Sequence, residues 1–198
     1  MPTDPGAPDD RLPGEEPDLT QADEAHLAAL AQRFLVALAH VRKGEVDAAA
    51  EELRGILKVE PRLAEPRIEL ARLLLETGQE EEAAEQTDEA IRILDGGGQW
   101  NDDLPEGVLK GLAWDLHGEA LRRQADRDEV VFGDPERWRE LVEQARAAFA
   151  KAAALDPDNA HAAYWAGGTD AELAPPEADD AEPVGLDFLL PGLPGAED

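Results

Sequence analysis

The sequence predicts an all-α fold assembled from repeated helix-turn-helix units. Three observations carry this. First, one pattern is written twice, 34 residues apart. Gly44 is followed by Ala49, Leu53, Ile56, Leu57 and Val59, and Gly78 by Ala83, Thr87, Ala90, Ile91 and Ile93. Second, packing positions at helical spacing precede each glycine: Val36, Ala37 and His40 in one copy, Leu70, Ala71 and Leu74 in the other. Third, alanine, leucine, glutamate and arginine dominate the middle of the chain, and these residues lose least on entering a helix. Self-similarity at this period marks stacked supersecondary units, because one unit alone cannot bury its apolar face.

In chain order, Met1 to Leu19 hold five prolines and six acidic residues, too little apolar surface to offset ordering entropy. Residues 1–19 are expected to form a disordered acidic tail. They show no basic stretch followed by an apolar one, so no signal peptide is evident. Thr20 reads as an N-cap, with Asp23 three residues on. The first helix carries Leu27, Leu30, Phe34, Leu38 and Val41 and ends near Gly44. The second runs from Asp47 to Val59, stopped before Pro61. Pro66 is expected in the first turn of the third helix, where its missing N–H is harmless. Ile68, Leu70, Ala71, Leu74 and Leu75 give that helix a broad apolar face, and Gly78 ends it.

The fourth helix, Glu80 to Leu94, opens with three glutamates suited to the positive end of a helix dipole. Gly96, Gly97 and Gly98 end it and begin a connector reaching Leu104. Pro105 opens a fifth helix with Val108, Leu109, Leu112, Leu116 and Ala120 on one face. Residues 126–133 read as an insertion. Asp134-Pro135-Glu136 is a helix start, and the sixth helix should reach about Leu155. A short last helix is expected over Asn159 to Gly168, closing a folded region of residues 20–168. Trp165 and Tyr164 are expected to seal it against the sixth helix. Trp100 has two readings, a partner anchor or a side chain folded back onto the joint between repeats.

Residues 169–198 turn to Asp, Glu, Pro and Ala and are expected to form a second disordered, acidic tail. Within it, residues 184–193 gather Leu186, Phe188, Leu189, Leu190 and Leu193. Apolar clusters with acidic flanks suit segments that fold on a partner. The cluster is therefore expected to be a recognition motif for a second protein. Docking back onto the chain's own apolar groove is the alternative.

Composition excludes several chemistries. The chain has no cysteine and no serine, hence neither of the two commonest side-chain nucleophiles, no disulfide and no thiolate metal site. His26, His40, His117 and His161 include no pair at i, i+3 or i+4, so no metal site is indicated. Asp126, Asp128 and Asp134 lack the alternation and closing glutamate of a calcium loop. The glycine triplet lacks a following lysine, so no phosphate loop is present. No catalytic residue and no cofactor is expected.

The net charge of −28 disfavours nucleic acid, whose phosphates need a basic surface, and leaves basic proteins open as partners. Solubility or adaptation to a salty interior explains the same charge: lysines number only four. No membrane-length apolar run occurs, and a cytoplasmic location is the default expectation. The sequence sets no oligomeric state.

The doubled pattern resembles the tetratricopeptide repeat family. The first copy supplies Val36, Ala37, His40, Gly44, Ala49, Leu53, Ile56 and Pro61, but has Arg33 where a large apolar residue is usual. The second supplies Leu70, Ala71, Leu74, Gly78, Ala83 and Ala90, with Asp95 in place of the closing proline. An interrupted third copy supplies Trp114, Gly118, Leu121, Ala145, Phe149 and Ala152, and ends in Ala154-Leu-Asp-Pro-Asp-Asn159. The resemblance covers roughly residues 25–168 by this register.

It implies a right-handed superhelix of about three repeats plus a capping helix, whose first helices line a concave groove. The groove residues it implies are Phe34, Leu38, Val41 and Arg42, then Glu65, Ile68, Arg72 and Leu75 (with Glu76), then Leu112, Asp115, Glu119 and Arg122 (with Arg123). Some members clamp an acidic chaperone C-terminus through lysine and asparagine. The matching positions here hold Phe34, Leu38, Ile68, Arg72, Asp115 and Glu119, so that clamp is not implied. The implied function is a non-catalytic scaffold or adaptor taking a peptide or helix of a partner protein in the groove. An acidic mimic or holding chaperone covering a basic surface is the alternative.

Overall fold

The computed structural model describes residues 21–98, 100 and 105–167, which form eight helices and no strand. They are α1 (Gln21–Arg42), α2 (Val46–Val59), α3 (Ala64–Glu76), α4 (Glu80–Asp95), α5 (Glu106–Ala125), α6 (Asp128–Val131), α7 (Pro135–Leu155) and α8 (Ala160–Ala166). Thr20, residues 1–19, residues 169–198 and the apolar cluster at 184–193 lie outside the described residues.

The doubled pattern corresponds to two matching turns. At the first, Gly44 has φ +72°, its N–H bonds Val41 O at 2.9 Å, and Glu45 N–H bonds His40 O at 3.0 Å. At the second, Gly78 has φ +71°, its N–H bonds Leu75 O at 3.3 Å, and Gln79 N–H bonds Leu74 O at 2.8 Å. This is the helix-terminating motif in which a left-handed residue folds two N–H groups back onto orphan carbonyls, a conformation glycine adopts without steric penalty. The half-buried His40 also ties this turn from its side chain, through Nδ1 to the Glu45 carboxylate.

The helices pack in pairs, α1 with α2, α3 with α4 and α5 with α7, and successive pairs join through α2–α3 and α4–α5. One core runs through the first two pairs into α5. It holds Ala37, Ala49, Leu53, Leu70, Leu74, Ala90, Leu94, Ala113 and Leu116, all essentially inaccessible. Small residues let the backbones approach, and each buried leucine contributes about 1.5–3 kcal/mol. The third pair is closest at Gly118, where an added Cβ would meet the Phe149 ring at 2.9 Å.

Three details differ from the sequence reading. The second helix begins at Val46 and the fourth ends at Asp95, shifts within the fraying expected of helix ends. The insertion contains a helical turn, α6. Its preceding residue, Arg127, pairs with both Glu80 and Glu81 of α4, which pins this turn against the second hairpin. Tyr164 does not seal the last helix; it stands 64% exposed, meeting only the edge of Trp165 on that side. Asp134 caps α7 as predicted, accepting from Arg137 N–H at 2.9 Å, and Asn159, read as the first residue of the last helix, instead caps it, accepting from Ala162 N–H at 2.9 Å.

Candidate peptide-binding face

The implied groove residues lie on α1, α3 and α5, the first helix of each pair. At the α1 end, half-buried Phe34 lies against Trp100, ring centroids 5.8 Å apart, over buried Leu30, Ile56 and Leu63. The Trp100 backbone N–H donates to Glu65 Oε1 at 2.9 Å, and Glu65 is buried at the start of α3. Of the two readings of Trp100, the fold adopts the one in which it turns back onto the chain. Further along α1, Leu38 and Val41 are half-buried and Arg42 is exposed.

On α3, Ile68 and Leu75 belong to the core. Arg72 is half-buried between two carboxylates, bonding Glu69 at 2.6 Å and pairing with Glu76. Its charge is neutralised within its own helix.

The α5 portion is occupied by the chain itself. Asp115 and Glu119 are only 2% and 4% exposed. His161 of α8 places Nδ1 2.9 Å from Asp115 Oδ1, and Trp165 Nε1 donates to His161 Nε2 at 3.1 Å. A neutral imidazole with its proton on Nδ1 satisfies both bonds. Arg122 grips Glu119 with two bonds of 2.9 Å, pairs with Asp126, and lies 4.8 Å from the Trp165 ring centre. Arg123 bonds Glu119 as well and donates to Leu75 O at 2.9 Å, tying α5 to α3. Burial pushes the Glu119 carboxyl up, but the two guanidinium groups outweigh it and hold it below the ordinary 4.5. Leu112 is half-buried against the main core.

Thus Ile68, Leu75, Glu65, Asp115 and Glu119 are interior, Arg42 is exposed, and Phe34, Leu38, Val41, Arg72, Leu112, Arg122 and Arg123 are half-buried. Sequence reasoning missed His161 and Trp165 as partners of this face. Their i, i+4 spacing marks one side of α8, but not the surface it meets.

His117 is buried enough to push its pKa below the ordinary 6.5, and its Nδ1 lies 2.9 Å from Thr87 Oγ1. A depression of roughly 280 Å³ lies between α2 and the end of α3, lined by Val46, Ala50, Arg54, Leu73 and Thr77 among others, and none of the groove residues lines it. Among the described residues no group of three or more His, Cys, Asp or Glu could hold a metal ion. No helix among them is long and apolar enough to cross a membrane.

Consecutive helix pairs with matching glycine turns define a helical-hairpin repeat protein. The family model for the tetratricopeptide repeat matches residues 40–108, from the end of α1 into the start of α5, and this stretch is similar to that family. Such repeats generally mediate protein–protein interactions and are generally non-catalytic. No curated protein matches the sequence.

Proposed function

We propose that the chain is a non-catalytic scaffold that takes an extended or helical segment of a partner protein across α1 and α3. The contact residues are Leu38, Val41 and Arg42 of α1 and Arg72 of α3, with Leu112 at the border. The observation that carries this reading is accessibility. Of these groove residues Arg42 is exposed and Leu38, Val41, Arg72 and Leu112 are half-buried, whereas the α5 portion is filled by His161 and Trp165. A surface of two apolar side chains bordered by Arg42 and by the Glu69–Arg72–Glu76 row suits an amphipathic segment.

The test uses the partner that the full-length chain retains from its native extract. Leu38→Glu and Arg72→Glu should each weaken that complex about tenfold or more, the loss of one well-placed interface contact. The helical signal should be unchanged. Undiminished binding by both variants contradicts the reading. Ile68 is unsuitable for this test because its replacement would disrupt the core.

The net charge of −28 supports a second reading, in which the acidic surface covers a basic patch of a partner. Salt separates the two. Charge-only association fades over a few hundred millimolar salt as the screening length falls below about 8 Å, whereas apolar groove contacts persist.

A further inference from the structure

Helix α1 has two apolar sides. One packs inward, with Leu30 and Ala37 buried and Leu27, Phe34 and Val41 half-buried. The other carries exposed Ala28, Ala29, Leu35 and Val36 and half-buried Ala39, at i, i+3, i+4 spacing around exposed Gln32. Leu35 is 54% and Val36 49% exposed. A helix with apolar residues on two sides is best buried on both, yet the inner side of α1 meets α2 and Trp100 while Leu35 and Val36 stand exposed on the other. Its charge is also unlike the rest of the chain. From Ala25 to Gly44 there is no Asp or Glu, in a protein with 46 of them, and exposed Arg42 and Lys43 stand at its end.

We propose that residues 184–193 of the same chain dock on this outward face of α1. Three observations select that occupant. First, the segment supplies Leu186, Phe188, Leu189, Leu190 and Leu193, enough large side chains to cover Leu35 and Val36. Second, residues 169–198 carry nine acidic residues and no lysine or arginine, complementing the one long acid-free stretch of the chain. Third, the reach suffices. Sixteen residues, and so seventeen Cα-to-Cα steps, lie between Gly167 and Val184. Fully extended they span up to roughly 60 Å, and as a flexible chain about 23 Å on average. From helix to packed helix the route α8–α7–α5–α3–α2–α1 is at most roughly 50 Å at 8–10 Å per step, within the extended reach.

Two rivals fit less well. Residues 1–19 offer only Met1, Leu12 and Leu19 as large apolar side chains. A second copy brings another −28 of charge to the contact. Docking within the chain is the alternative to the expectation that the apolar cluster recruits a second protein.

The absence of cysteine makes the test clean. In the full-length chain, Val36→Cys combined with Leu189→Cys is compared with Glu143→Cys combined with Leu189→Cys, Glu143 being an exposed α7 residue. Under mild oxidation the 36–189 disulfide should form within one chain at least about tenfold faster than the 143–189 disulfide, because docking raises the effective concentration of the thiols. Equal rates overturn the proposal. A disulfide-linked dimer overturns it too, assigning the face to a second copy.

A second measurement uses Leu35→Asp. Chymotryptic cleavage within residues 184–193 should become about fivefold faster, since the docked population falls, with the melting temperature of the repeats unchanged. An unaltered cleavage rate, or faster cleavage confined to residues 1–19, overturns the proposal.

Discussion

The first two helical hairpins and the third solve the same packing problem differently. Between Gly44 and Asp95 the units close through two nearly identical glycine turns, and their interior is mostly leucine, isoleucine and alanine. The third hairpin, α5 with α7, takes acidic groups inside. Asp115 and Glu119 are buried beside His161, Arg122, Arg123 and Trp165, and a helix beyond the repeat supplies part of the network. A repeat register therefore says which positions share a face. It does not say which of them remain available, because a later element can return and occupy them.

That contrast can be tested from the interior outward. The largest effect is expected at Phe149, which is 1% exposed and packs against Gly118, His161 and Trp165. Phe149→Ala should lower stability by about 3–5 kcal/mol, as for a large buried aromatic. Because α8 leans on the same ring, chemical denaturation should also show looser protection of α8 amides. A loss confined to Phe149's immediate neighbours, with α8 protection intact, would separate the cap from the hairpin.

The turns come next. Gly44→Ala and Gly78→Ala should each lower stability by roughly 1–2 kcal/mol, the penalty for an L side chain in the left-handed region. Near-equal values in urea denaturation are expected, since the two φ angles differ by a single degree, +72° against +71°. A clear inequality would mean that the hairpins are less alike than their turns.

Most of the helical skeleton was legible in the sequence because its signals are local. The doubled glycines, Asp134 before Pro135, and Asn159 before the last helix are each set by the nearest few residues. What the sequence could not convey is long-range return. Nothing near Trp100 states that it lies on Phe34, nothing near Asp115 that His161 bonds it, and nothing near Arg127 that Glu80 and Glu81 hold it. Asp115 and Glu119 looked like groove residues because periodicity places them with Ile68 and Arg72. Their burial follows from α8, some 40 residues later in the chain.

A smaller effect concerns pH. Burial lowers the His117 pKa, so folding favours the neutral ring. In the window just below the unfolded value of about 6.5, the unfolded chain binds a proton that the folded chain does not. This contribution to stability is complete above that value and is lost as pH falls toward the folded pKa. Melting measured between pH 7.5 and pH 5.5, a range bracketing that titration, should decline less steeply for His117→Gln than for the wild-type chain. Identical slopes would remove His117 from the account.

The proposed partner site lies on α1 and α3, where Arg42 is exposed and Leu38 and Arg72 are half-buried. The most direct measurement is site-specific photo-crosslinking in the full-length chain, with a benzophenone side chain at position 38, at 72 or, as a control, at 143 on α7. In native extract the account predicts one common protein adduct from positions 38 and 72 and none from 143. Adducts of that protein from 143, with none from 38 or 72, would contradict it.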